Sequence, residues 1–259
     1  MPAGFAGLEQ SLLLWMIAMI RPGAAFIAAP IFGAPQVPVQ LRLIIALAIG
    51  VPSAGLSGLA LPPEGIVSVA GVMMIISEVV IGLAIGFAVQ TGFAATLIAG
   101  EAISNAMGIG FAAMANPMTG QSSPAIGQFL SMLATFLFLA SNGHLMLVQT
   151  IVESYATLAP GQSWLSAAAL LGLVKLGSSM FAAGIAIALP VGFAMVLVQI
   201  IMGMIARSAP ALNLFSVGMP AALLAGVVLL AMATPVLSDS IMAALDGSLK
   251  AAQEVARGR

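Results

Sequence analysis

The sequence predicts an all-α polytopic integral membrane protein, and composition, charge and hydropathy patterning are the observations that predict it. Of the 259 residues, 61% are hydrophobic and 6% are charged, whereas an ordinary soluble domain has about 25% charged residues. The mean hydropathy is +1.18. The chain consists largely of apolar runs of about 20 residues, the length that a helix needs to cross a bilayer. We therefore predict about six hydrophobic helical segments in hairpins that proline and glycine break.

The six segments can be placed in order along the chain. The first stops near Pro30, and the second is predicted to break near Pro52 and to end at Pro62-Pro63. The third and fifth are longer than one straight crossing, so they must tilt, bend or stand partly outside lipid, and Pro190 is the predicted bend in the fifth. The segments are predicted at residues 8–29, 41–61, 66–98, 125–151, 167–205 and 212–237.

The few charged and reactive side chains exclude several classes of function. The seven basic residues are scattered, so no Lys/Arg cluster can neutralise nucleic-acid phosphates, and no nucleic-acid partner is expected. The absence of cysteine excludes thiol catalysis, disulfides and thiolate metal sites. Arg21 is the first basic residue and lies at the far end of the first apolar run, so we expect this run to be retained and not cleaved as a signal. The charged tail after Ser238 is expected to be exposed to water.

The basic residues leave the membrane orientation open. Arg42, near the first loop, and Arg207, in the last loop, favour placing those loops in the cytoplasm and both termini outside. Three basic residues in the tail, Lys250, Arg257 and Arg259, favour the opposite orientation.

A stripe of small and polar residues follows the third apolar segment. Glu78, Gly82, Gly86 and Gln90 recur every four residues, so they share one helix face. The two glycines allow a second helix to approach closely, and Glu78 should face that partner and not lipid. Because a charge at mid-membrane costs about 2.5–3.5 kcal/mol on the insertion scale, Glu78 needs a partner or a proton. Lys175 is the predicted partner within the chain, and a residue of a neighbouring subunit is the alternative. A structural pair and a proton- or ion-carrying carboxylate are the two interpretations.

Two further polar positions have a chemical and a structural interpretation. His144 lies beside Asn142 in SNGHL, and without a second histidine it is more simply a hydrogen-bonded structural residue than a metal ligand. The motif GLSG resembles the GxSG of rhomboid intramembrane proteases, with Ser57 as nucleophile and His144 as base. However, Pro62-Pro63 follows Ser57 closely, and so short a match is common in a chain rich in Gly, Ser and Ala. We therefore predict no catalytic residue, metal or cofactor.

The stretch GIGFAAMANPMTGQSSP, residues 108–124, is uncharged and yet too broken to be a good helix. Each glycine weakens a helix by about 1 kcal/mol relative to alanine, and a proline pushes the preceding residue out of helical geometry. Methionine side chains re-pack readily, so the segment is suited to a movable apolar seal, and plain core packing is the alternative. The predicted seal residues are Met107, Gly108, Gly110, Phe111, Met114, Asn116, Pro117, Met118, Gly120 and Gln121.

Ordered blocks of the chain resemble one protein family. The segment AGEAISNAMGIGFAAMANPMTGQSSPAIGQFLSMLATFLFLASNGHL, residues 99–145, looks like the middle of the flagellar export-gate protein FliR and its virulence type III secretion counterparts. Further blocks that resemble this family are RPGAAFIAAPIFGAPQVPVQLRLIIALAIG, ISEVVIGLAIGF and IALPVGFAMVLVQIIMGMIARSAPALNLFSVGMP, so the resemblance covers about residues 21–220. One departure is Ala211, in a turn where the family pattern has glutamine, although Asn213 is kept.

The resemblance implies a structural and gating subunit of a flagellar export gate in the inner membrane, in the basal body. It implies a P-like unit over residues 1–160, with a plug loop at about 106–122, and a Q-like hairpin over 161–259. The implied partners are FliP-like and FliQ-like subunits, FlhB-like and FlhA-like export proteins, and unfolded export substrates. The implied energy source is the proton motive force with an associated ATPase, so the chain itself is not expected to be an enzyme.

A secondary transporter of a small substrate or ion is the competing interpretation, with Glu78, Glu101, Lys175 and His144 as polar sites near broken helices. Against it, the chain shows no two halves of similar hydropathy. The predicted intramembrane polar or assembly positions are Glu78, Gly82, Gly86, Glu101, His144, Lys175, Arg207 and Asn213.

Overall fold

The computed structural model describes residues 3–109, 125–161, 164–208 and 218–258, and within these ranges it contains α-helices and no β-strand. The prediction of an all-α protein is therefore confirmed. The helices are α1 (Ala3–Ala18), α2 (Ile20–Ala28), α3 (Val39–Ser57), α4 (Val69–Ala106), α5 (Ala125–Ala140), α6 (Gly143–Thr157), α7 (Ala167–Ser208) and α8 (Met219–Ala256).

The described helices confirm a polytopic membrane protein. Four stretches are long and apolar enough to cross a membrane: Leu8–Ala28, which joins α1 and α2, Val69–Ala106, Ala167–Ser208 and Pro220–Ala256. Helices α5 and α6 meet at 66° and form a broken fifth stretch. Helix α3 falls short, because its apolar part, Val39–Ser53, rises only about 22 Å against a hydrocarbon core of about 30 Å.

Helix α2 ends at Ala28, beside Pro30, as predicted, but two internal prolines do not interrupt their helices. Helix α3 continues through Pro52 and α7 through Pro190, so the predicted break near Pro52 is wrong. Beside Pro52, Ser53 Oγ donates a hydrogen bond of 2.6 Å to the Ile49 carbonyl. The carbonyl that loses its helical N–H partner to Pro52 is a different one, that of Ala48. The chain breaks instead at Met19, between α1 and α2, and at Asn142, whose backbone is left-handed with φ 59°.

Contacts within the chain define two compact units. Unit 1 comprises residues 1–91, 139–178 and 246–259, and unit 2 comprises residues 92–138 and 179–245. Helices α4, α7 and α8 each contribute residues to both units. The P-like and Q-like division at residue 160 stays a prediction, because it concerns likeness to other subunits.

In unit 1, α3 packs on α1, α2 and α6. Its core includes Phe26, Ile85, Leu147 and Ile151, all of them buried. The end of α8 also belongs to this core.

The prediction that the tail after Ser238 is simply exposed to water is wrong. Leu249, Ala252 and Val255 are buried on one face of α8, whereas Lys250 and Glu254 lie exposed on the other. The tail is therefore an amphipathic helix end, in which the apolar stripe packs and the charges face outward.

Unit 2 contains the two ends of the segment predicted to be a seal. Phe93 of α4 and Phe138 of α5 meet edge to face, with ring centroids 5.4 Å apart. Ala99, Ile103 and Leu130 are fully buried between these helices and their neighbours in unit 2.

Candidate functional site

A buried ion pair joins α2 to α4 in unit 1. Arg21 Nε donates to Glu78 Oε2 at 2.8 Å and Arg21 Nη2 donates to Glu78 Oε1 at 2.7 Å, so the guanidinium binds the carboxylate with two parallel bonds. The exposed fractions of the two side chains are 0% and 1%. Two-pronged pairing of this kind is the strongest and most directional form of a salt bridge.

The remaining surface of the Arg21 guanidinium is covered by α6 and the residue that follows it. Nη1 donates to Ser154 Oγ at 3.0 Å, and Nη2 also donates to the Leu158 carbonyl at 2.7 Å. The Tyr155 ring lies 4.2 Å from the guanidinium carbon, a cation–π distance, and the Tyr155 hydroxyl donates to the Ala18 carbonyl at 2.7 Å. The pair therefore ties α1, α2, α4 and α6 together.

The glycines of the predicted stripe bring α2 and α4 into backbone contact. A Cβ atom on Gly82 would lie 2.3 Å from the Arg21 carbonyl oxygen, and one on Gly86 would lie 2.3 Å from the Ala25 carbonyl oxygen. Neither position has room for any side chain. The prediction that these glycines admit a second helix is confirmed, and that helix is α2.

The predicted pairing of Glu78 with Lys175 is wrong. Lys175 is exposed on α7, whereas both oxygens of Glu78 are bound by Arg21. The physical reason is that a planar guanidinium can satisfy both carboxylate oxygens at once, which an ammonium cannot do. Between the two interpretations of Glu78, the geometry favours a structural pair, since the carboxylate has almost no exposed surface through which to exchange an ion.

The start of the predicted seal is described in unit 2. Helix α4 ends at Ala106, and Gly108 follows it in left-handed geometry with φ 80°. The Gly108 N–H donates to the Asn105 carbonyl at 3.0 Å. A left-handed glycine is a common way to end a helix, and α4 runs well past residue 98, where the third apolar segment was predicted to end.

Three contacts hold this end of α4. The Met107 side chain is buried and lies over Gly226 of α8, where an added Cβ would stand 2.7 Å from its Cγ. The Gln199 amide of α7 donates to the Ala106 carbonyl. Near the start of α5, Gly127 touches Gly100 of α4 so closely that a Cβ on Gly100 would lie 2.2 Å from the Gly127 Cα atom.

The other predicted positions are dispersed or lie outside the described residues. Glu101 and Arg207 are exposed, on α4 and in the last turn of α7. His144 is in the first turn of α6, and its buried Nδ1 has no hydrogen-bond partner among the described residues. Helix α3 ends at Ser57, so this serine closes a helix. The positions outside the described residues are Gly110, Phe111, Met114, Asn116, Pro117, Met118, Gly120, Gln121 and Asn213.

Comparison with known proteins shows the family to which the chain belongs. The family described as bacterial export proteins, family 1, matches residues 12–247. The flagellar biosynthetic protein FliR of Escherichia coli K12 is 33% identical over 227 residues, which cover 87% of this chain and 85% of that protein. The chain belongs to the FliR family of bacterial export proteins. FliR of Caulobacter vibrioides is 33% identical over 82% of this chain and 84% of that protein, and FliR of Bacillus subtilis is 30% identical over 80% of each.

Several residues of this FliR-family chain have structural roles that the sequence reasoning missed. Arg21 was noted only as the first basic residue, although the preference of buried carboxylates for arginine over lysine is a usable signal. Tyr155 and Gln199 gave no signal, because their partners are backbone carbonyls distant in sequence. The contact between Gly100 and Gly127 also joins separate helices and has no local pattern.

Proposed function

We propose that this FliR-family chain is a structural and gating subunit of the flagellar type III protein export gate. In this proposal it lies in the bacterial inner membrane within the flagellar basal body. It forms, with P-like and Q-like subunits, the channel for unfolded flagellar export substrates, and FlhB-like and FlhA-like proteins are its further partners. The observation that carries the proposal is the match to FliR proteins over most of a chain made of membrane-length helices.

The seal is proposed to be the segment at about residues 106–122. A pore for unfolded protein must pass every kind of side chain, so its seal should be soft, apolar and non-selective. Methionine and phenylalanine meet that requirement, whereas a ring of carboxylates would bind basic substrates. The contacts that hold the end of α4 at Met107 suit a segment that must return to one position after each substrate has passed.

The arrangement of charges supports a structural protein more than an enzyme or a transporter. The buried carboxylate of Glu78 is bound to Arg21, and Glu101 and Lys175 are exposed. Within the described residues, no three His, Asp or Glu side chains are grouped as metal ligands. The proposal therefore assigns no catalysis to the chain, and the energy for export comes from the proton motive force and a separate ATPase.

Purification in mild detergent tests the proposed assembly. The tagged chain is extracted from its native membranes and the accompanying proteins are identified by mass spectrometry, with an untagged strain as the control. We expect P-like and Q-like proteins in one large particle. A small, stable particle without them would contradict the proposal and favour the transporter, with Glu78 as the first residue to substitute.

A further inference from the structure

Three separate contacts, here called fastenings, hold the end of α4, and the third of them joins it to α5. We infer that Met107 is the fixed base of the plug and not a moving part of it, and that Gln199 and Gly226 are the residues that position this base. The inference rests on the proposed function, since it concerns how the plug is held. It divides the predicted seal at Gly108, with Met107 on the static side.

The first fastening is the contact of Met107 with Gly226 in α8. Met107 has an exposed fraction of only 4%, and its side chain fills the space that a side chain at position 226 would need. A Cβ on Gly226 would lie 2.4, 2.7 and 2.8 Å from the Cε, Cγ and Sδ atoms of Met107. The glycine therefore creates a seat shaped to this thioether.

The second fastening is a hydrogen bond at the helix terminus. The last carbonyls of a helix have no partner within it, and an unsatisfied carbonyl in apolar surroundings is unfavourable. The Gln199 amide of α7 donates to the carbonyl of Ala106, the last residue of α4. A side chain from another helix thus fixes the backbone immediately before Met107.

The third fastening is the crossing of α4 and α5. Gly100 and Gly127 meet backbone to backbone, and Ala99 and Ile103 on the same stretch of α4 are fully buried. Close-packed contacts of this kind transmit strain and do not slide freely. Gly108, directly after the base, has the left-handed geometry that favours glycine, so the backbone changes direction where the fastening ends.

An engineered disulfide tests whether the base is fixed. A Cβ at position 226 would lie 2.7 Å from the Met107 Cγ, which is one bond from the Met107 Cβ. The two Cβ atoms are therefore within about 4 Å of each other, a separation that a disulfide can span. The chain contains no cysteine, so the pair M107C and G226C would supply its only two thiols. Export of a flagellar substrate is measured in inverted membrane vesicles that carry the complete gate, in the oxidised form and after reduction, and mass spectrometry reports the oxidised fraction.

We expect the oxidised and reduced forms to export at the same rate, within about twofold, because the base does not move. A rate that falls on oxidation and recovers on reduction would overturn the inference, since the base would then have to part from α8 during export. Failure of the pair to oxidise would also overturn it, since the contact would be absent.

Loosening the base tests its positioning role separately. Gln199→Leu removes the amide donor, and Gly226→Val displaces Met107 from its seat. We expect each to raise dye leakage through the resting gate several-fold at normal assembly. Gly247→Val, at a glycine of α8 with no atom within 4 Å, is the matched control. Tight gates in both variants would contradict the positioning role. Deletion of residues 108–118 tests the plug itself. A tight gate after this deletion would contradict the proposed plug, whereas a leaky deletion with tight gates in both substitution variants would contradict only the positioning role.

Discussion

At the scale of single residues, the carboxylate of Glu78 is tolerated inside a membrane-length helix because one guanidinium satisfies it. An unpaired charge at that depth is unfavourable by about 2.5–3.5 kcal/mol on the insertion scale. Arg21 offsets this with two bonds to the carboxylate, and Ser154 and the Leu158 carbonyl accept its other hydrogen bonds. Each charge has a partner, so the loss of either residue would leave the other charge buried and unpaired.

Removing one member should therefore destabilise the fold more than the pair's net contribution suggests. Glu78→Ala leaves a buried guanidinium without its counter-charge and is expected to lower the free energy of unfolding by about 3–5 kcal/mol. Arg21→Lys keeps the charge but loses the two-pronged geometry, so we expect a smaller loss. Thermal unfolding in detergent measures both, with Lys175→Ala as the control. A control that unfolds as early as Glu78→Ala would contradict the assignment of Arg21.

The sequence predicts that Glu78 needs a partner, but it does not predict that the partner is Arg21. The spacing of Glu78, Gly82 and Gly86 on one helix face is a local pattern, and the structure confirms that this face packs against another helix. The partner is 57 positions away in the chain, and no local pattern connects the two residues. Only the chemistry of carboxylate binding, which favours arginine over lysine, could have directed the prediction to Arg21.

At the scale of helices, α2 and α4 approach so closely that the oxygens of α2 occupy the space of missing side chains. Gly82→Ala and Gly86→Ala should push the helices apart, because each new Cβ meets a backbone carbonyl that cannot rotate away. We expect a lower unfolding temperature and less assembled complex. Gly192→Ala, at a helical glycine with open space around it, should be neutral or stabilise by up to about 1 kcal/mol. Equal effects at all three positions would show that the contact is unimportant.

The start of α7 and the end of α8 are joined by one serine. Ser166 Oγ accepts the Ala169 N–H at 3.0 Å, which caps α7, and donates to the Gly258 carbonyl at 2.8 Å, just beyond α8. Thr157 donates to the nearby Ala256 carbonyl. The positive end of one helix dipole and the negative end of another are thus brought together.

Ser166→Ala should remove both bonds and lower the free energy of unfolding by about 1 kcal/mol, the usual effect of losing an N-cap. Hydrogen exchange is expected to rise in the last turn of α8 as well as the first turn of α7. Ser178→Ala is the control, because Ser178 is exposed and its hydroxyl donates to the Lys175 carbonyl in its own helix. Faster exchange confined to α7 would show that the hydroxyl does not hold the C-terminus.

The positions of the helices were predictable, but several of their ends were not. Apolar runs predicted the helical segments, but the third was predicted to end near Ile98, whereas α4 continues to Ala106. Proline predicts a break because it removes one intrahelical hydrogen bond, yet α3 continues through Pro52. The burial of the α8 tail depends on contacts within unit 1, which the charge count alone could not reveal.

At the scale of the whole molecule, the chain combines a buried charged pair in unit 1 with a proposed seal segment, whose first residue, Met107, packs in unit 2. The composition of residues 108–124 predicted a soft, uncharged seal without any structural information. The residues that hold its base were not predictable, because Gln199, Gly226 and Gly127 are distant in sequence from α4.

The proposed seal is tested by the permeability of cells that carry the complete gate with residues 108–118 deleted from this chain. Dye entry and ion conductance are compared with the wild-type gate and the Gly247→Ala gate, after purification has shown equal assembly. We predict normal assembly and a membrane that leaks small ions and dye, because the apolar seal is gone. A deleted gate that stays as tight as the wild type would contradict the account.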